Sequence, residues 1–255
     1  KEGIINLKKL EAAINGKTAL VSVMYANNEV GSIQPIKEIA KIVKKAGALF
    51  HTDAVQAFQY LDSDVNRLEV DFLTLSAHKI YGPKGVGALY VRDPKVLEPI
   101  IFGSGQEQGL RSGTENVASI VGFGEAAKII GKIWQKEAKR IEGLKNYFWK
   151  NLKRRFPKLE LNGPVNNRLP NNLNIYFPGQ DAHELQIKLD LAGLASSPGA
   201  ACSSRISKAS FVLEEMGFSQ KRASESLRFS LGRPTTKTEI DRATAIICKV
   251  LGEVL

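Results

Sequence analysis

The chain has 255 residues, enough for one large domain or two modest ones, and its 43% hydrophobic and 24% charged content is that of a globular protein with a proper core. No apolar run approaches the ~20 residues that a bilayer span needs, and Lys1-Glu2-Gly3-Ile4-Ile5-Asn6 has neither a signal-peptide pattern nor an initiating Met, as expected of a fragment or a processed form. Of the net charge of +10, much falls in Lys136 to Lys158, where nine basic and two acidic residues flank an apolar stripe of Ile141, Leu144, Phe148 and Leu152. That pattern predicts the wet face of an amphipathic helix, with an acidic protein partner rather than nucleic acid as its complement.

In chain order, Leu7 to Ile14 reads as a short helix ended by Asn15-Gly16, and Thr18 to Tyr25 as a strand leading into Ala26-Asn27-Asn28-Glu29-Val30-Gly31. Pro35 opens a helix whose stripe is Ile36, Ile39, Ala40 and Val43, stopped by Gly47. Ala48 to Asp53 and Val70 to Leu75 read as further strands, the second delivering Ser76-Ala77-His78-Lys79-Ile80-Tyr81-Gly82-Pro83-Lys84-Gly85, and Val86 to Val91 as one more. A glycine-rich loop, Gly103 to Thr114, precedes a helical region from about Asn116 to Arg155, which Gly131 and Gly143 weaken, leaving room for a bend. Beyond Pro157 come a strand at Leu173 to Phe177, a helix at Ala182 to Leu191, a strand at Ser226 to Leu231 and a helix at Glu239 to Leu251. Strands alternating with helices give an α/β class with a mostly parallel sheet, followed by a smaller α+β domain; the expected division is residues 1–133 and 134–255.

Ligands of open α/β sheets bind beyond the carboxyl ends of the strands. Asn28, Asp53, Gln56, Ser76, His78 and Lys79 all stand at or just after such ends, so they are expected to converge on one rim. A lysine placed there becomes a nucleophilic amine if desolvated, and is otherwise an ordinary solvated loop residue. The Gly103 to Thr114 loop has the composition of a phosphate cradle, although it matches neither the P-loop nor the dinucleotide fingerprint and reads equally well as a plain surface loop.

The two cysteines differ. Cys248, in Ala245-Ile246-Ile247-Cys248-Lys249-Val250, reads as a packed small hydrophobe; no disulfide framework or zinc spacing is present, which fits a reducing compartment. Cys202 follows Ser196-Ser197-Pro198-Gly199-Ala200-Ala201, a small-residue exposed loop, and Arg205 and Lys208 nearby favour its thiolate, so it is read as a functional thiol. Arg228, inside the strand from Ser226, suits bidentate recognition of a carboxylate, with a structural salt bridge as the alternative.

Ala26-Asn27-Asn28-Glu29-Val30-Gly31, His51-Thr52-Asp53-Ala54-Val55-Gln56, Ser76-Ala77-His78-Lys79, Arg111-Ser112-Gly113-Thr114 and Ser197-Pro198-Gly199-Ala200-Ala201-Cys202, in this order, resemble the pyridoxal-phosphate (PLP) cysteine desulfurases of the class V aminotransferases. The resemblance implies PLP fold type I, with an incomplete large domain over 1–133 and a small domain over 134–255. It implies that Lys79 holds PLP as a Schiff base and moves the substrate's α-proton, and that Asp53 pairs with the pyridinium nitrogen. Gln56 would bond the ring's phenolic oxygen, Asn28 would help hold the ring, and Ser76 and His78 would contact the phosphate. Thr114 would reach the phosphate of the other subunit, making a homodimer part of the site, while Arg228 would clamp the substrate carboxylate.

Cys202 would take the sulfur of L-cysteine as a persulfide, leaving alanine, and the spacing from Cys202 to Phe211-Val212-Leu213 resembles the branch that hands sulfur to an iron–sulfur scaffold. A cytoplasmic protein with no membrane or nucleic-acid partner is the corresponding expectation. Pro198 and Ala200 depart from the family's usual small hydroxyl residues, and the family has roughly a further third of chain before the position of Lys1. Selenocysteine lyase is the rival with the same chemistry, and a non-catalytic interaction module the rival from another class.

Overall fold

The computed structural model describes residues 1–199 and 209–252. Backbone contacts divide the chain into two compact units: one of Asn6–Tyr25 and Pro35–Trp134, the other of Lys1–Ile5, Ala26–Gln34 and Gln135–Leu255. The first is called here the parallel-sheet unit and the second the antiparallel-sheet unit.

In the parallel-sheet unit, α1 (Leu7–Ala13) starts at Asn6, whose side chain accepts the Lys9 N–H. The sheet runs β1 (Leu20–Met24), β2 (Leu49–Asp53), β3 (Phe72–Ser76) and β4 (Gly87–Val91), in that order. The first three strands are parallel and β4 is antiparallel to β3, so the sheet is mostly parallel, as read from the sequence. The connections follow from local chemistry. α2 (Ile36–Lys45) begins after Pro35, buries Ile36, Ile39, Ala40 and Val43, and returns the chain to β2. Burying each of its Ile and Val side chains is worth about 1.5–3 kcal/mol, which outweighs the modest helix propensity of β-branched residues. The one-turn α3 (Val65–Leu68) is capped by the Asp64 carboxylate, which accepts the Asn66 and Arg67 N–H groups.

β3 begins at Phe72 rather than Val70, because the Asp71 carboxylate takes the Phe50 N–H at 2.8 Å where a ladder partner would otherwise stand. The long helix α4 (Val117–Arg155) continues as one element through Gly131 and Gly143. Its first part supplies Phe123, Ala126 and Ile130, which pack on Ala77 and Ile80; its C-terminal part supplies Ile141, Phe148 and Leu152, all buried.

The antiparallel-sheet unit holds β5 (Glu160–Leu161), β6 (Asn172–Tyr176) and β7 (Ser226–Ser230), in that order. Phe148 meets Phe229 edge-to-face, with ring centroids 5.7 Å apart. α5 (Ala182–Leu191) is capped by Asp181 and packs against α8 (Lys237–Val250), which opens with a full capping box between Thr236 and Glu239. The short helices α6 (Phe211–Glu215) and α7 (Gln220–Ser224) start at Ser210 and Ser219, and Leu213 and Ala223 from them pack with Val30. Cys248 is fully buried, as its apolar setting predicts. Among the described residues no helix is long and apolar enough to cross a membrane.

Candidate active site

The parallel register pairs Met24 with Asp53 and Asp53 with Thr74, so the carboxyl ends of β1, β2 and β3 lie along one edge of the sheet. β2 is clamped in this position from both sides. The His51 ring meets the Ser22 hydroxyl through Nδ1 at 2.7 Å and the Thr74 hydroxyl through Nε2 at 2.8 Å, and the Thr52 hydroxyl donates to the Val23 carbonyl at 2.9 Å. Burial lowers the His51 pKa below its ordinary 6.5, opposed in part by the negative charge of Asp53. Asp53 closes β2, and its carboxylate accepts the Val55 N–H at 2.9 Å, folding the chain over into the turn that carries Gln56.

β3 ends at Ser76 and passes directly into a single 3-10 turn, Ala77–Ile80. Side chains three apart eclipse in such a turn. Ala77 and Ile80 are therefore driven together into the core against Phe123, Ala126 and Ile130, which leaves His78 and Lys79 on the outside. Ser76 Oγ and His78 Nδ1 are 2.8 Å apart, one residue on either side of the turn's first position. Lys79 is exposed, so the described chain supplies the placement that a nucleophilic amine needs but not the desolvation.

Thr114 is exposed and lies in the expected glycine-rich loop. That loop bonds largely to itself: the Ser112 hydroxyl donates to Ser104 O at 2.8 Å, Arg111 Nη1 to Ser112 O at 2.7 Å, and Gly113 N to Gln106 Oε1 at 3.4 Å. Glu107 and Gln108 sit at positive φ within it.

The remaining expected residues belong to the antiparallel-sheet unit. Arg228 is half-buried on β7, an edge strand of a three-stranded sheet whose Ser226, Leu227 and Phe229 are buried. Its free backbone edge pairs with Ser197 through two bonds of 2.8 and 3.1 Å, and its Nη1 donates to the Asn28 carbonyl at 2.9 Å. Asn28 and Arg228 are thus brought together. Cys202 lies outside the described residues.

Sequence reasoning missed the residue next to Asn28. Glu29 is only 6% exposed, and its carboxylate accepts the Ser210 hydroxyl. Its carbonyl accepts the side-chain amides of Asn172 and Asn174 at 3.0 and 3.2 Å. Gly31 allows this approach: it holds φ +74, and a Cβ there would stand 2.9 Å from the Asn172 side chain. Beneath lies a second buried hub. Arg168, 4% exposed, donates to Pro164 O at 2.8 Å, to Asn172 Oδ1 at 3.1 Å and to Asn162 O. Burial brings the Arg168 pKa down to about 10. The available signal was an acidic residue between two asparagines and a glycine, in a segment joining a strand to a helix.

The model for the aminotransferase class-V family matches residues 1–243. The chain belongs to that family. It is 42% identical over 253 residues to the cysteine desulfurase IscS of Clostridium botulinum, covering 98% of this chain and 64% of that protein. With the cysteine desulfurase IscS of Rickettsia felis it shares 45% identity over 248 residues, covering 96% of this chain and 60% of that one. A solved NifS-like protein superimposes with a TM-score of 0.90 at 36% identity, covering 99% of this chain and 66% of the other. The chain therefore spans 64% of the length of the first of these curated relatives, and its fold is that of the NifS-like PLP enzymes, an α/β architecture with a mostly parallel sheet and a smaller antiparallel one.

The class-V aminotransferases are PLP enzymes, and the strand-end residues are chemically suited to that cofactor. An amine on an outward-facing turn suits its aldehyde, a carboxylate at the next strand end suits its ring nitrogen, and a hydroxyl–imidazole pair suits its phosphate.

Proposed function

We propose that this chain carries the cofactor-binding and sulfur-accepting parts of a cysteine desulfurase, which converts L-cysteine to L-alanine and leaves the sulfur on Cys202. The observation that carries the reading is the side-by-side delivery of Lys79 and Asp53 from neighbouring parallel strands, in a chain similar over 98% of its length to a cysteine desulfurase. Lys79 is the covalent attachment point for PLP; Asp53 and Gln56 orient the ring, Ser76 and His78 hold the phosphate, and Asn28 supports the ring. When bound, PLP supplies an electron-withdrawing ring that stabilises charge left at the substrate's α-carbon.

The chain's own groups divide the work. Arg228 holds the substrate carboxylate, with its guanidinium already steadied by Asn28 O. The Lys79 amine moves the proton at the α-carbon. The Cys202 thiolate bonds to the substrate's sulfur as the sulfur–carbon bond breaks; the electron pair of that bond stays with carbon, which takes up a proton and leaves as part of alanine. The persulfide on Cys202 then passes its outer sulfur to an acceptor protein such as an iron–sulfur scaffold. A cytoplasmic homodimer belongs to the same reading, with Thr114, exposed here, reaching the other copy's phosphate. So does a functional division into a large domain over 1–133 and a small domain over 134–255.

The test is the purified protein mixed with PLP, followed by visible absorbance before and after L-cysteine, with alanine and sulfide assayed in the presence of a thiol reductant. A cofactor band that depends on Lys79 and equal yields of alanine and sulfide are expected. Lys79→Ala should lower alanine production by roughly 10³-fold or more, and Cys202→Ser should keep the spectral response to L-cysteine while releasing no sulfide. A band indifferent to Lys79→Ala, or PLP-loaded protein that forms no alanine, would overturn the reading.

A further inference from the structure

The nine basic side chains of residues 136–158 fall into different situations in the structure. Some are engaged. Arg140 holds the Glu137 carboxylate through Nε at 3.0 Å and Nη2 at 2.6 Å, and donates to the Arg233 and Thr235 carbonyls, both at 2.8 Å. The buried Lys145 lies 3.7 Å from Glu142, and Lys153 donates to Pro157 O and Leu159 O, both at 2.7 Å. Both acids of the segment, Glu137 and Glu142, are thereby used. The nearby Asp241 of α8 is used as well, by Tyr147 at 2.7 Å and Lys237 at 2.8 Å. Lys136, Lys139, Lys150 and Arg154 differ: all four are exposed, and none forms an ion pair with a described residue.

At 3.6 residues per turn these four fall within about 60° of one another around the α4 axis, so they form a stripe down one side of the helix. They stand as two pairs, Lys136 with Lys139 and Lys150 with Arg154, whose centres are about 22 Å apart along the axis. Gly143 and Asn146, both exposed, lie between the pairs, and a Cβ on Gly143 would meet nothing within 4 Å. Like charges three and four residues apart repel, and a face that only has to meet water does better with mixed signs. Cations in the last turn complement the helix dipole, which accounts for Arg154 but not for Lys136 and Lys139, far from the helix end. A counter-charged surface would relieve the repulsion at both pairs.

We propose that this stripe is the docking surface for an acidic helix of a partner protein. The proposal goes beyond the desulfurase reading and does not depend on it. A helix with two acidic pairs about four turns apart meets both ends of the stripe at once, and the uncharged middle lets the two backbones come close. Other anionic partners fit less well. A membrane surface rewards apolar side chains beside the cations, yet no large apolar side chain of residues 136–158 is exposed. A nucleic-acid duplex carries charge at every step and rewards an unbroken basic run, which Gly143 and Asn146 interrupt. Single strands need an exposed aromatic platform, and the stripe has none. A contact built from exposed charges forms fast and weakens with salt, as suits a partner that docks and leaves.

The experiment measures fluorescence anisotropy of a labelled, alanine-rich helical peptide with one glutamate pair near each end, about four turns apart, titrated with the full chain at low salt. A second peptide of identical composition has its glutamates bunched in the middle. One variant reverses the stripe (Lys136→Glu, Lys139→Glu, Lys150→Glu and Arg154→Glu); a control reverses four other exposed lysines, Lys8, Lys9, Lys41 and Lys44, for the same change of net charge. The end-paired peptide should bind several-fold tighter than the bunched one. Stripe reversal should weaken it about tenfold or more and the control reversal less than about threefold. If the fourfold stripe variant does not fold, the milder Lys136→Gln with Lys139→Gln decides by the same comparison against Lys8→Gln with Lys9→Gln. Equal losses in stripe and control variants, equal affinity for the two peptides, or no binding to the wild type would each overturn the proposal. So would stripe-dependent binding of a DNA duplex, or of phosphatidylserine-containing vesicles, that is tighter than that of the peptide.

Discussion

The strand-end residues of the parallel-sheet unit and the Glu29-centred network of the antiparallel-sheet unit reach precision by opposite routes. Asp53, Ser76 and Lys79 are placed by topology: parallel strands in register end together, and a one-turn helix pinned by Ala77 and Ile80 turns Lys79 outward. Their side chains stay half-buried or exposed. Glu29, Arg168, Asn172 and Asn174 are buried and satisfied by one another across long sequence separations. The first region spends little stability to present chemistry. The second holds its chemistry by making each buried polar group depend on several others, so that removing one strands the rest.

The largest test of that contrast is Arg168→Met. It leaves the carbonyls of Asn162 and Pro164 and the Asn172 amide oxygen without their donor, and unfolding by urea should show a loss of about 3 kcal/mol or more. A loss within the small range of surface substitutions would mean that the network is not cooperative.

A smaller effect, on activity alone, is expected from Arg228→Lys. The ammonium cannot hold Asn28 O and a carboxylate through one planar fork, so KM for L-cysteine should rise about tenfold with stability nearly unchanged. An unchanged KM would remove Arg228 from substrate recognition and leave it a structural link between Ser197 and Asn28.

The smallest effect concerns pH. Burial holds the His51 pKa below 6.5, so as pH falls from 6.5 through that lowered value the unfolded chain takes up the proton first and stability declines; above 6.5 the contribution is constant. His51→Gln should therefore flatten the drop in melting temperature between about pH 7.5 and about pH 5.5. An equally steep drop in the variant would show that other groups set the acid limb and that the clamp across β1, β2 and β3 is not what titrates.

Much of this was legible in the sequence for reasons that differ by residue. The α2 stripe, the strands ending at Asp53 and Ser76, and the apolar setting of Cys248 follow from periodicity and local composition, which act over a few neighbouring residues. Lys79 could be singled out because strand, turn and glycine-rich exit are contiguous. Its exposure could not, because whether a side chain is covered depends on distant parts of the fold. The helix runs on through Gly131 and Gly143 against their weak local propensity, with Ile130 and Ile141 buried on either side.

By itself the sequence put the candidate residues Asp53, Ser76 and Lys79 at or just after strand ends, because a parallel α/β pattern leaves the carboxyl ends as the natural place for a ligand. Only the tertiary structure decided that Glu29 is buried, that Ser210 and Gly199 close on it, and that Arg228 reports to the same turn. Those contacts join residues far apart in the chain through single hydrogen bonds or, at Gly199, a close approach. Such bonds leave no periodic trace in the sequence, since the position of each partner is set by the packing of everything between them.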